Sequence, residues 1–201
     1  MVEKMKTKYR IELCGEIAAG KSTLAQILSE EKGLKILNDR FEENPFLKSF
    51  YMDKYNECAF ESELTFALLH FNMTRNNSDF ECVVCDYSVA QDFSYAKTHL
   101  NETEFQCFCN VYKMMLEQIG FPDLTIYLKC PVEELKKRIK KRGRVEEQEI
   151  TNEHLECCVQ NLEIQLSKIN NVLVIDSSKY DFRGKDKTEV IDYIFKNIEE
   201  A

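Results

Sequence analysis

Short apolar runs alternate along the chain with longer amphipathic stretches. The short runs resemble buried strands of a parallel sheet, and they predict β-strands at 9–14, 34–37, 81–85, 124–129 and 172–176. In the stretches between them, apolar residues recur at spacings of three and four, which predicts helices at 22–31, 60–71, 105–119, 155–166 and 187–199. Alternation over the whole length predicts an α/β fold, a doubly wound five-stranded parallel sheet with helices on both faces.

Length and charge narrow the class of protein. With 201 residues and neither an internal repeat nor a linker, the chain is predicted to form a single domain over 1–201. A net charge of -8 argues against a nucleic-acid surface, which needs a basic footprint. Apolar runs fall short of the roughly 20 residues of a membrane span, and residues 1–8 contain no signal-peptide core. We therefore expect a cytoplasmic protein without membrane attachment, whose nine cysteines are reduced thiols.

The strongest motif follows the first predicted strand. Residues 15–23, Gly-Glu-Ile-Ala-Ala-Gly-Lys-Ser-Thr, match the phosphate-binding pattern G-x-x-x-x-G-K-[ST] and lead into a predicted helix. In such loops backbone N–H groups and the helix dipole bind phosphates. Lys21 is placed to reach the β- and γ-phosphates, and the Ser22 hydroxyl suits Mg²⁺. The motif therefore predicts binding of a nucleoside triphosphate by Gly15, Ala18, Ala19, Gly20, Lys21, Ser22 and Thr23.

Polar residues follow two further strands, and ligands bind at the carboxyl ends of strands in such sheets. Asp86 ends the strand 81–85, where we expect a second Mg²⁺ contact, although a capping aspartate would give the same pattern. Asp39 and Arg40 follow the strand 34–37. They could supply the base and the cation of a phosphoryl transfer, or form an ordinary surface ion pair.

A basic run occupies 136–144, and the acids Glu146, Glu147 and Glu149 follow it. These acids, and the absence of interleaved aromatic residues, disfavour a nucleic-acid patch. Arg138 and Arg142 lie four residues apart on one helical face, and Gly143 breaks the helix. We interpret about 136–150 as an arginine-rich lid that closes over phosphates.

Together these segments resemble the deoxynucleoside kinase family. The matching stretches are 15–23, then Glu43-Asn44-Pro45-Phe46-Leu47 with Phe50 and Tyr51, then Asp86-Tyr87-Ser88 with Asp92, and finally 138–144 with Glu146 and Glu147. The resemblance implies a P-loop kinase fold and transfer of the γ-phosphoryl group of ATP, with Mg²⁺, to the 5′-hydroxyl of a deoxynucleoside. It also implies a homodimer.

The resemblance assigns further site residues. Tyr51 and Glu147 resemble the pair that holds the sugar 3′-hydroxyl, and Asp92 resembles the acid that reads the base. Residues 177–182 would lie beside the adenine of ATP. The lid arginines on the ATP phosphates would be Arg138, Arg142 and Arg144.

The chain departs from the family pattern at both strand ends. Asp39-Arg40 stands where the family usually has Glu-Pro, and Asp86-Tyr87 where it usually has an acid followed by Arg. We hypothesise that Arg40, in the loop after the second strand, replaces the guanidinium that is missing after the third strand. Asp39 is the expected base, with Asp86 as the alternative.

The positions that read the base also differ. Glu63 aligns with the family's usual Gln, and His70 aligns with a nearby Arg. An ionised carboxylate only accepts hydrogen bonds, so Glu63 would favour a base with two adjacent donors, as guanine has. Glu16, where Asn is common, has no explanation in the sequence. The alternatives are a thymidylate or other small-metabolite P-loop kinase, and a catalytically retired nucleotide-binding subunit.

Overall fold

A parallel sheet of five strands organises the computed structural model, which describes residues 9–52 and 57–199. The order is β2-β3-β1-β4-β5, and all four pairings are parallel. The α/β prediction is confirmed, whereas residues 1–8, on which the signal-peptide expectation rests, lie outside the described residues. The strands are β1 (Tyr9–Cys14), β2 (Lys35–Leu37), β3 (Cys82–Cys85), β4 (Leu124–Lys129) and β5 (Val172–Asp176).

The central strands of the sheet are buried on both faces because helices cover them. In the central strand β1, Ile11, Leu13 and Cys14 are fully buried. Ile11 pairs with Val84 of β3 and Leu124 of β4, so apolar side chains continue across the sheet. The continuous apolar run of β3 is the pattern of a parallel strand covered on both sides, whereas in β1 Arg10 and Glu12 alternate with apolar residues.

Eight helices belong to the described part of the chain. Within residues 9–52 and 57–199, none of them combines the length and apolarity needed to cross a bilayer. Two short 3₁₀ helices, Phe41–Glu43 and Val145–Glu147, accompany them. The helices are α1 (Lys21–Lys32), α2 (Leu47–Met52), α3 (Ala59–Asn76), α4 (Val89–His99), α5 (Glu102–Ile119), α6 (Val132–Arg142), α7 (Asn152–Leu166) and α8 (Lys187–Glu199).

The start of α4 is fixed to the sheet by a buried carboxylate. Glu12 of β1 accepts a hydrogen bond from the Val89 N–H at 3.0 Å, and Ser88, the N-cap, accepts from the Ala90 N–H at 3.2 Å. Both acceptors satisfy N–H groups that the first turn leaves without helical partners. They hold α4 at the end of β3, beside the loop that follows β1.

Candidate functional site

A cavity of about 200 Å³ lies at the carboxyl ends of the central strands. Residues 16–22 after β1, Asp39 after β2 and Asp86 after β3 all line it, together with side chains of α2, α3, α4, α7 and the lid. This edge is where the strand order reverses around β1, the usual ligand site of open α/β sheets. The predicted site residues that line the cavity are Ala18, Ala19, Gly20, Lys21, Ser22, Asp39, Tyr51, Glu63, His70, Asp86, Asp92, Arg142, Arg144 and Glu147.

The loop between β1 and α1 has a backbone that glycine makes possible. Gly15 has φ 143, and a Cβ there would lie 2.7 Å from the Leu128 carbonyl oxygen. Ala18 and Gly20 also have positive φ, 65 and 110, a conformation typical of anion-binding turns. The Lys21 ammonium donates to the Gly15 carbonyl at 2.5 Å. Lys21 is thus held at the phosphate-binding end, while Gly15 and Thr23, which lies in α1, are outside the cavity lining.

Asp86 and Ser22 form an oxygen-donor pair in the lining of the cavity. Asp86 is only 6% exposed, and its Oδ1 has no hydrogen-bond partner among the described residues. Burial raises the pKa of Asp86 to about 6, against the opposing effects of the Ser22 hydroxyl and the Lys21 charge. A buried carboxylate oxygen without a partner next to a hydroxyl fits Mg²⁺, which prefers hard oxygen ligands.

A buried histidine connects the predicted base to the predicted base-reading acid. His70 Nδ1 lies 2.9 Å from Asp92 Oδ2, and its Nε2 lies 3.5 Å from Asp39 Oδ1. Burial opposes a charge on His70, but Asp92 and Asp39 outweigh it and raise its pKa to about 10. His70 also stacks on Tyr87, with ring centroids 4.0 Å apart. Asp39, His70 and Asp92 therefore form one charged row along the cavity wall.

The lid arginines that line the cavity bind Glu147. The Arg142 Nε donates to Glu147 Oε2 at 3.0 Å, and its Nη2 bonds the same oxygen. The Arg144 Nη1 donates to Glu147 Oε1 at 3.3 Å. Gly143 ends α6 with φ 73, as predicted, and lets the chain turn into the 3₁₀ helix that carries Glu147. Both carboxylate oxygens of Glu147 are therefore engaged by arginines.

Two predicted arginines lie outside the cavity lining. Arg138 joins α6 to the phosphate loop and to the end of β5, donating to the Ala19 carbonyl at 3.4 Å and the Ser177 carbonyl at 2.9 Å. Arg40 faces Glu43 at 3.3 Å, and both side chains are 52% exposed. A role for Arg40 at the reacting phosphate therefore requires it to leave Glu43.

Helix α4 contributes cavity residues that the sequence reasoning missed. Gln91 accepts from the Gly15 N–H at 3.0 Å, Tyr95 donates to Glu16 Oε2 at 2.8 Å, and His99 Nδ1 lies 2.7 Å from Glu63 Oε1. These three residues are four apart, so they share one helical face. A polar stripe of this spacing directly after Asp86 was the available signal. The hydrogen bond from Tyr95 also explains Glu16, because the Glu16 carboxylate joins the phosphate loop to α4.

Glu16→Gln should stabilise the ligand-free protein increasingly as pH rises. Burial raises the pKa of Glu16 from 4.5 to about 7, with Tyr95 and Lys21 opposing it. The folded state therefore keeps a proton that the unfolded state loses, so wild-type stability falls between these two values and stays lowered above them. Each pKa unit corresponds to about 1.4 kcal/mol, which allows a difference of up to about 3 kcal/mol.

Chemical denaturation from about pH 5 to about pH 8 measures this difference as the free energy of unfolding. Glu81→Gln, at an exposed position, is the control and should leave the pH profile unchanged. A constant offset between Glu16→Gln and the wild type across this range would contradict the proposed titration of Glu16.

Comparison with known proteins identifies the family. The family profile for deoxynucleoside kinase matches residues 11–199. Deoxyguanosine kinase from Bacillus subtilis (strain 168) is 29% identical over 189 residues, covering 89% of this chain and 91% of that protein. Deoxyadenosine/deoxycytidine kinase from the same organism is 26% identical over 199 residues, covering 92% and 90%.

A solved structure agrees with these sequence matches. The structure of deoxyadenosine kinase from M. mycoides with bound dCTP matches with a TM-score of 0.78 and 25% identity, covering 96% of this chain and 100% of that chain. The P-loop kinase fold expected from the resemblance is thereby confirmed. Since the family match spans nearly the whole sequence, this chain belongs to the deoxynucleoside kinase family of phosphotransferases.

Proposed function

We propose that this protein transfers the γ-phosphoryl group of ATP to the 5′-hydroxyl of a deoxynucleoside. The observation that carries the proposal is that one cavity is lined both by the phosphate loop and by the row Asp39, His70 and Asp92. Donor and acceptor must meet in a single site for direct transfer, because this chemistry depends on positioning and charge stabilisation.

The donor side would hold ATP and Mg²⁺. Residues 16–20 would bind the phosphates through backbone N–H groups, and Lys21 would contact the β- and γ-phosphates. Ser22 and Asp86 would hold Mg²⁺, which neutralises negative charge on the phosphates when it is bound. Arg142 and Arg144 would add positive charge from the lid, and Arg138 would position the lid through its contact with the Ala19 carbonyl.

The acceptor side would hold the sugar and the base. Tyr51 and Glu147 would receive the 3′-hydroxyl, and the packing of α2 against the 3₁₀ helix Val145–Glu147 brings their elements together. Asp92 and Glu63 would accept hydrogen bonds from the base. Glu63 can do this while it binds His99, because each carboxylate oxygen has two lone-pair sites.

Asp39 would act as the base in the transfer step. The 5′-oxygen forms a bond to the γ-phosphorus, the bond from that phosphorus to the β,γ-bridging oxygen breaks, and ADP leaves. The hydroxyl proton passes to the Asp39 carboxylate. His70, whose pKa is raised to about 10, lies 3.5 Å from Asp39 Oδ1 and would hold this carboxylate in place in the cavity.

We expect deoxyguanosine to be the best of the four common deoxynucleosides. The wild type should phosphorylate it with ATP at a higher kcat/KM than deoxycytidine or thymidine, since Glu63 accepts from the adjacent N1–H and 2-amino donors of guanine. Glu63→Gln should reduce this preference by about tenfold, the effect of one hydrogen bond of about 1.4 kcal/mol.

A coupled assay of ADP release, run with each deoxynucleoside and each monophosphate, measures both properties. Equal or better turnover of the pyrimidines would contradict the guanine preference while leaving the kinase proposal intact. Turnover of monophosphates alone would indicate a nucleotide kinase, and no product from any acceptor would indicate a retired fold. The homodimer implied by the resemblance and the cytoplasmic location expected from the sequence stay predictions.

A further inference from the structure

Two histidines and one cysteine converge on a single point between α4 and α7. His99 ends α4, and His154 and Cys158 are one turn apart on α7. The Cys158 sulfur lies 3.6 Å from His154 Nε2 and 4.0 Å from His99 Nε2. The two imidazole rings stack with centroids 5.1 Å apart and planes 8° apart. Both rings therefore direct a nitrogen towards the same sulfur.

From this geometry we propose a transition-metal site of the Zn²⁺ type, with His99, His154 and Cys158 as ligands. One potential ligand atom from each residue lies within 4.8 Å of the other two. Zinc bonds of about 2.0–2.1 Å to nitrogen and about 2.3 Å to sulfur place tetrahedral ligand atoms about 3.3–3.6 Å apart. The distance from the sulfur to His154 Nε2, 3.6 Å, lies at the upper end of this range, and the distance to His99 Nε2, 4.0 Å, exceeds it by an amount that side-chain rotation can supply.

The Glu63 carboxylate orients the ligand His99 through the ring nitrogen that does not face the sulfur. His99 Nδ1 lies 2.7 Å from Glu63 Oε1, and both side chains are 4% exposed. A carboxylate at Nδ1 leaves Nε2 as the nitrogen that faces the sulfur. A carboxylate behind a metal-binding histidine is a common outer contact, and it fixes the tautomer and raises ligand basicity.

The donor atoms select the metal. Imidazole nitrogen and thiolate sulfur suit Zn²⁺ and Co²⁺, whereas Mg²⁺ takes oxygen ligands. The site is therefore distinct from Ser22 and Asp86. Binding exchanges the Cys158 thiol proton for the metal, and that proton passes to solvent. Three protein ligands leave a fourth tetrahedral position. Since His99 and His154 line the cavity, a water molecule or a group of the bound deoxynucleoside can occupy that position.

Metal binding by the full chain tests the site, with Cys157 as a matched control. Cys157 is the exposed neighbour of the buried Cys158 on α7. In excess Mg²⁺, the wild type should bind one Zn²⁺ per chain by equilibrium dialysis, and Co²⁺ should produce a thiolate-to-cobalt charge-transfer band. Cys157→Ser should retain both properties. Cys158→Ser should lose the band and bind Zn²⁺ at least about 100-fold more weakly, beyond the 10- to 100-fold cost of an outer contact.

His154→Gln provides a second variant at a half-buried position, in case Cys158→Ser fails to fold. It should weaken Zn²⁺ binding by a similar factor while keeping the wild-type circular dichroism spectrum. Absence of stoichiometric Zn²⁺ on the wild type would overturn the site. So would unchanged affinity in a folded Cys158→Ser or His154→Gln protein, or loss of the cobalt band in Cys157→Ser.

Discussion

Asp39→Asn should lower kcat by about 10²- to 10⁴-fold, the usual contribution of a positioned general base. The amide keeps the shape of the side chain but cannot accept the hydroxyl proton. Asp39 lines the cavity 3.5 Å from the Nε2 of His70, which is cationic because its pKa is raised to about 10. Steady-state rates with saturating ATP and deoxynucleoside measure the loss.

Asp86→Asn is the companion variant, because Asp86 is the alternative base. As an Mg²⁺ ligand, Asp86 should respond differently: its replacement should raise the Mg²⁺ concentration needed for half-maximal activity, whereas Asp39→Asn should leave that concentration unchanged. Thermal stabilisation by Mg²⁺-ATP should persist in Asp39→Asn, which shows that the nucleotide still binds. A near-normal kcat for Asp39→Asn together with a large loss for Asp86→Asn would assign the base to Asp86.

Arg40→Ala should lower kcat by about 10³- to 10⁵-fold, the range associated with a catalytic arginine in P-loop enzymes. Tyr87 occupies the position where the family usually has an arginine, and it is 2% exposed and stacked on His70. A guanidinium must then come from elsewhere. Arg40 pairs with Glu43 at 3.3 Å, and since both are half exposed the pair contributes only about 0–1 kcal/mol. Charge on the transferring phosphate can readily outweigh that interaction.

Glu43→Gln is the matched control for Arg40→Ala. It removes the competing charge and leaves the guanidinium in place, so kcat should stay within about threefold of the wild type. If Arg40→Ala turns over normally, the hypothesis that Arg40 replaces the family's usual arginine after Asp86 is wrong. Arg142→Ala, which removes a guanidinium that already lines the cavity, would then show the large loss in kcat instead.

Most helices were predicted because they bury an apolar stripe. A helix whose buried face is polar was missed. The strands β1, β4 and β5 have the predicted bounds, and β2 and β3 each begin one residue later than predicted, excluding Leu34 and Glu81. Helix α4 was not predicted. Much of its buried surface is polar, since Gln91, Asp92 and Ser94 point inwards, so the hydrophobic period is weak. A helix that lines a polar cavity loses the signal on which such predictions depend.

The positions of the site residues were only partly predictable. The sequence placed Lys21, Asp39 and Asp86 at strand ends, and these three line one cavity because parallel strands end at the same edge of the sheet. It also led to the expectation that Arg138 and Arg40 would contact phosphates. In the structure Arg138 binds two backbone carbonyls and Arg40 binds a surface carboxylate. The partner of each guanidinium depends on which acceptor the packing of the elements brings within hydrogen-bond distance, and this distance does not follow from sequence spacing.

By itself, the sequence determined the parallel sheet, the phosphate loop and the family, because apolar runs, glycine geometry and short motifs are local properties of the chain. Only the tertiary structure showed that Glu16 meets Tyr95, that His70 joins Asp39 to Asp92, and that His99 meets His154 and Cys158. Each of these contacts joins side chains from different elements. Their distances depend on how α3, α4 and α7 pack against the sheet, which is decided by burial of the whole core.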